Sequence, residues 1–254
     1  MNITLSPKAV LKFLLSVVAI LLVANLVVIA IYAIFDSTRG GWLPELFILD
    51  GERNIPTFYS AISLMLSALL LFLIAIRHRK SGSQWGPWLG LSLIMCFLSI
   101  DETVLIHEQL VEPTRKLFNI SDAFYYAWII PYILIAAIVF LSYFKFLMRL
   151  PKRTRFLFLL SGGIFILGAA GFEAGGNVVR LVYPRVYNLS TTIEELLEMV
   201  GVVYFIYALL DYIDIKFNGL DITIAAQPPR YYPRIPQKIV PRDIVAQDIS
   251  SNRL

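Results

Sequence analysis

Six stretches of the chain are long and apolar enough to cross a lipid bilayer, which constrains the fold more than any motif does. Residues 13–35, 54–76, 81–100 and 123–144 carry no charge, and 156–172 runs up to Glu173. The stretch 193–213 qualifies once its acidic residues lie in or near the membrane. A helix rising 1.5 Å per residue needs about 20 residues to cross roughly 30 Å of hydrocarbon. There every backbone N–H and C=O must bond within the protein, so the spans are helices. Composition agrees: 58% of residues are hydrophobic and 16% charged, against roughly 45–50% and 25% in soluble domains. That excludes a water-soluble globular fold. The first span is too long for a secretory signal and lacks a small-x-small cleavage site, so it reads as a retained helix. The expected architecture is all-α, a polytopic bundle of about six transmembrane helices at about 13–35, 54–76, 85–108, 123–146, 156–180 and 193–213. A Pro- and Arg-rich tail follows over 218–254.

Positive charge sets the expected orientation. Sixteen of the 22 Lys and Arg fall at the N-terminus, in 77–80, in 145–155 and in the tail, and six fall in the other three connections. By the positive-inside rule both termini are cytoplasmic, as an even number of spans requires. This predicts an integral protein of a bacterial inner membrane or another energy-transducing membrane. The net charge of +4 does not point to nucleic acid, because the basic residues lie between apolar runs rather than in a patch. A lone Cys96 precludes an internal disulfide, and two histidines are too few for a multi-haem or histidine-rich metal site. Zincin, Glu-x-x-His di-iron, phosphate-binding Gly-loop and nucleophile-elbow motifs are all missing, so neither haem nor nucleotide is expected. The partner expected first is the lipid bilayer. In the tail, 227–242 alternates Pro with Arg, Lys and Tyr; it is either a solvated or membrane-skimming segment or a docking segment for a protein or anionic lipid. The first connection, 36–53, is apolar enough to lie in the interface.

The carboxylates are unusually placed. Span three ends Leu98-Ser99-Ile100-Asp101-Glu102-Thr103-Val104-Leu105-Ile106-His107-Glu108 with no breaker before Pro113, which predicts a helix through all of it. Glu108 then returns to the Asp101 face about two turns on. In span five Glu173, Asn177 and Arg180 share a face, and Gly171 with Gly175 forms a small-xxx-small surface for a neighbouring helix. Span six opens with Thr191 or Thr192 as N-cap and Glu194 or Glu195 completing a capping box, and Glu198 lies one turn on. Charges in a membrane cost about 2.5–3.5 kcal/mol each even on the lenient scale, so they should turn inward and find partners. Seven acids (Asp101, Glu102, Glu108, Glu173, Glu194, Glu195 and Glu198) outnumber the nearby Arg180, Arg185 and His107. Either several are protonated or a divalent cation sits among them.

The candidate metal ligands are Asp101, His107, Glu108, Glu173, Glu194 and Glu198, with zinc, manganese and iron equally suited. Asp101, Glu108 and Glu173 are the candidate catalytic groups. The plainer alternatives are that Glu194 or Glu195 only caps a helix, that Glu102 and Glu108 sit among headgroups, and that His78 is an interfacial basic residue. The segment Leu98-x-x-Asp101-Glu102 followed by His107-Glu108 resembles one found in uncharacterised bacterial multi-pass membrane proteins, a resemblance that implies no particular activity. Three functions fit: a metal-dependent enzyme acting on a lipid or exported substrate, a proton- or cation-coupled transporter, and a non-catalytic accessory protein.

Overall fold

The computed structural model describes residues 6–35, 41–120, 127–172, 175, 176, 179, 182 and 187–219. The helices are α1 (Pro7–Phe35), α2 (Trp42–Glu45), α3 (Ile55–Lys80), α4 (Gly86–Val104), α5 (Ile106–Gln109), α6 (Val111–Phe118), α7 (Ile129–Arg149), α8 (Lys152–Ile166) and α9 (Tyr187–Phe217). A π-helical segment, Leu167–Phe172, continues α8. No strand occurs among the described residues. Among the described residues six helices are long and apolar enough to span a membrane: α1, α3, α4, α7, α8 with its π segment, and α9. The chain is therefore an all-α polytopic bundle.

Helix α9 is the centre. Val203, Ile206, Ala208 and Leu209 are completely buried, and a helix apolar on all sides is one enclosed by other helices. Helices α1, α3 and α8 pack on it, and α4 packs on α3. The α8–α9 approach is close: a Cβ on Gly201 would stand 2.8 Å from the Phe165 backbone nitrogen, and one on Gly168 would stand 2.8 Å from the Glu194 carbonyl oxygen. Gly171 and Gly175, the expected small-residue face, make no such contact. A Cβ on Gly171 would meet only the Leu167 side chain, and one on Gly175 would meet nothing within 4 Å. The physical reason is the π segment, whose wider turn rotates everything beyond Ile166 away from an α-helical wheel.

Hydroxyls set the register of α3 against α4. Ser92 Oγ donates to the Ala68 carbonyl and Ser99 Oγ to the Ala61 carbonyl, both at 2.8 Å. The two serines and the two alanines are each seven residues apart, and the helices run antiparallel, so one register satisfies both bonds. Helix α7 is mostly exposed, with Leu134, Ile138 and Leu141 all more than half accessible. It is attached by side chains: Phe146 packs edge-on against Trp88, and Arg149 donates to Gln84.

The bundle has two unlike ends. At the end carrying 77–85 and 150–153, Arg153 forks onto Asp211 at 2.9 and 2.8 Å and also donates to the Tyr207 hydroxyl. His78 is buried there rather than interfacial: it stacks on Trp88 and its Nε2 lies 2.8 Å from the Tyr212 hydroxyl. Its place on the α9-facing side of α3 overrides the basic neighbours that made it look like a headgroup contact. At the opposite end lie the 41–54 connection and α5, and there the acids gather.

Candidate functional site

The expected continuous helix through Glu108 does not form. Helix α4 ends at Val104, because Leu105 adopts a left-handed conformation (φ 60°, ψ 46°). This costs a non-glycine residue roughly 1–2 kcal/mol. What offsets it is Asp101. Its Oδ1 accepts the His107 backbone N–H at 2.8 Å, satisfying a donor that the start of α5 would otherwise leave unpaired. The same oxygen lies 3.3 Å from His107 Nδ1, and Oδ2 accepts the Tyr132 hydroxyl from α7 at 2.8 Å. Trp128 packs on the other side of the imidazole, with ring centroids 4.8 Å apart. Asp101 is buried and His107 partly so.

The break redirects Glu108. Instead of returning to Asp101 it comes within electrostatic reach of Glu52 in the first connection. Burial and then Glu52 push the Glu108 carboxyl above the ordinary carboxylate range. Burial by itself would lower the His107 imidazole. The hydrogen bond and charge of Asp101, with the charges of Glu108 and Glu102, outweigh it and raise His107 above its usual value.

The first connection is a built element. Asn25, in the middle of α1 and 1% exposed, donates to Thr192 Oγ1 at 2.9 Å and accepts the Leu49 backbone N–H at 3.0 Å. Asn54 caps α3 by accepting the Thr57 N–H at 3.1 Å and donates back to the Ile48 carbonyl at 2.6 Å. Asp50 follows the buried Leu49 at the exposed edge of this connection, and its carboxyl is raised to about 6 by partial desolvation first and then by Glu52. The Asp50 charge also acts on Glu194 of α9.

The expected capping box at Thr191 and Thr192 is replaced. Helix α9 begins earlier, at Tyr187, and both threonine hydroxyls donate back to the Asn188 carbonyl. Glu194 and Glu198 therefore lie inside a helix, beside Gly168. Of the six expected ligands, the structure brings Asp101 and His107 together, turns Glu108 toward Glu52, and leaves Glu194 and Glu198 on α9. Glu173 lies outside the described residues, as do Asn177, Arg180 and Arg185. Among the described residues no group of three His, Cys, Asp or Glu is placed to hold a metal ion.

Five participants escape sequence reasoning: Asn25, Asp50, Glu52, Trp128 and Tyr132. One of them carried a signal. Asn25 is the single amide in a 23-residue uncharged run, 13–35, and an amide in hydrocarbon requires a partner.

Six spanning helices with a carboxylate, an imidazole and a phenol bonded together at one end define a polytopic membrane protein with a polar site at a membrane face. A family model described as a domain of unknown function (DUF8692) matches residues 14–213, from the first span through most of the sixth, and the chain belongs to that family. No curated protein and no solved structure matches it.

Proposed function

We propose that this membrane protein works through His107 as an acid–base group, facing the outside of a bacterial inner or other energy-transducing membrane, in a proton-transferring reaction on a lipid or exported substrate. One observation carries the proposal: both oxygens of Asp101 are engaged, one by His107 and one by Tyr132. A carboxylate used in this way orients an imidazole, fixing the proton on Nδ1 and turning Nε2 into the working atom. Asp101 and Tyr132 are then positioning residues. Glu108, the residue after His107, has a carboxyl raised by burial and by Glu52, which suits it to exchange a proton with the imidazole. The outward assignment is supported by the excess of Lys and Arg at the opposite end.

A second reading keeps the divalent metal, because a carboxylate-held imidazole is also how a histidine metal ligand is oriented. In that case Nε2 is the metal-binding atom. One set of variants separates the two. The purified protein in nanodiscs is screened for lipid turnover and, in proteoliposomes, for proton flux; its zinc, manganese and iron contents are measured alongside. The acid–base proposal expects whichever activity is found to disappear in His107→Gln, to fall steeply in Asp101→Asn and to survive Glu112→Gln, with no stoichiometric metal that depends on His107. Activity retained in His107→Gln refutes it. Stoichiometric metal lost in His107→Gln selects the second reading.

A further inference from the structure

We propose that the groove between the first connection and the α3–α4 seam binds a membrane phospholipid with an amine headgroup, its phosphate on Arg53 and its ammonium beside Glu52. The groove has a volume of about 450 Å³ and is lined by Leu46, Arg53, Asn54, Thr57, Phe58 and Thr103. It lies where α3 begins and α4 ends, and both are spanning helices, so its mouth is at a membrane boundary. Arg53 is exposed, and among the described residues it has no carboxylate at ion-pair distance. Its backbone is in the left-handed region, at φ 58°, and the next residue is the pinned cap Asn54. The cation therefore stands on a fixed base at the edge of the groove.

Two features select the occupant. The first is apolar continuity. Below the mouth, Phe58 and Ile62 on α3 and Ile100 and Val104 on α4 are 65%, 51%, 45% and 61% exposed. They flank a seam that the Ser99–Ala61 bond holds shut. This is a track for acyl chains running inward from a cation, which a free phosphate would not use. The second is the sign of the neighbours. A guanidinium matches a phosphodiester through paired N–H donors, but the residue just before it, Glu52, is an exposed acid at the same rim. An acid in that position disfavours a headgroup with net negative charge and favours one whose ammonium follows its phosphate by two carbons. A primary amine, with three N–H donors, suits it better than a trimethylated one. This inference uses neither the His107 nitrogen nor any reaction there, so it stands or falls separately from the acid–base proposal.

Native mass spectrometry of the protein released from nanodiscs containing equal amounts of phosphatidylethanolamine, phosphatidylcholine and phosphatidylglycerol tests it. The expected result is preferential retention of phosphatidylethanolamine. Arg53→Gln should weaken that retention about tenfold, the loss of one charge-assisted hydrogen-bonded pair. Glu52→Gln should keep binding but erase the preference over phosphatidylglycerol, and Arg79→Gln, at the opposite end of the bundle, should change nothing. An unchanged melting temperature in each variant shows that the fold is intact. Equal retention of the three lipids by the parent, undiminished retention in Arg53→Gln, or complete displacement by soluble glycerophosphoethanolamine or inorganic phosphate overturns the proposal.

Discussion

Replacing Asp101 with Asn removes a charge and almost no volume, so it isolates what the carboxylate does. Three contacts converge on it: the His107 N–H and the Tyr132 hydroxyl at 2.8 Å, and His107 Nδ1 at 3.3 Å. Bonds to a charged partner contribute about 1.5–3 kcal/mol and neutral ones about 0.5–1.5, so neutralising the acceptor loses about 1 kcal/mol per good contact and less for the long one, about 2–3 kcal/mol in all. The pH dependence is the sharper test. In the parent, the bond and charge of Asp101, with the charges of Glu108 and Glu102, outweigh burial and raise the His107 imidazole above its ordinary value. Its contribution to stability is therefore complete below the unfolded value of about 6.5 and is lost as pH rises through the folded value. In Asp101→Asn, burial is opposed only by the charges of Glu108 and Glu102, so the folded midpoint moves down and the stability that protonation of His107 contributes at low pH shrinks. Each whole unit by which the midpoint moves is worth about 1.4 kcal/mol. With two histidines in the chain, nitrogen-detected NMR of the labelled protein resolves both, and His78→Gln assigns them. Melting temperatures from about pH 5 to 9 give the stability side. A His107 midpoint that does not move, or a melting difference between parent and variant that is the same at every pH, refutes the reasoning.

Other expectations follow from the packing. Ser92→Ala and Ser99→Ala should each cost about 0.6 kcal/mol, the average interhelical side-chain bond in a membrane, and should add in the double variant, because the two sites share no partner; a double cost far from the sum would refute independent register locks. Gly201→Ala drives a methyl into the Phe165 backbone and should destabilise by about 1–3 kcal/mol. Gly171→Ala meets only a flexible leucine end and should be close to neutral, and equal effects in thermal denaturation would contradict the observed α8–α9 contact. Asn25→Ala leaves the Leu49 N–H without its acceptor, a loss of about 1–3 kcal/mol, which should appear as faster proteolysis within 41–54 while the rest of the bundle stays resistant.

The bundle was legible because lipid imposes a length rule that sequence obeys directly. The six expected spans correspond to six observed helices, and the differences sit at their ends. Span three was expected to run to residue 108 and stops at Val104, span five's α-helix gives way to a π segment at Leu167, and span six starts at Tyr187 rather than 193. No glycine or proline marks the first of these breaks. Leu105 is forced into it by a side chain four residues earlier that prefers the His107 N–H to solvent, and competition of this kind between side chain and helix is decided by tertiary surroundings.

The same distinction explains which site residues could be found. Asp101 and His107 were selectable because an ionisable group at the end of a span is expensive and must be used or paired. Expense says that a partner exists, and it does not say which. A helical wheel paired Asp101 with Glu108. The left-handed residue between them pairs Asp101 with His107 instead and turns Glu108 toward Glu52, on a connection whose sequence points only to the membrane interface. Tyr132 gives no warning, because a tyrosine near a membrane face is ordinary, yet its hydroxyl occupies the second oxygen of Asp101. With that oxygen free, Asp101 would remain a natural ligand for a cation. With it bonded, Asp101 is placed to orient the imidazole, which is the arrangement the proposed acid–base role requires.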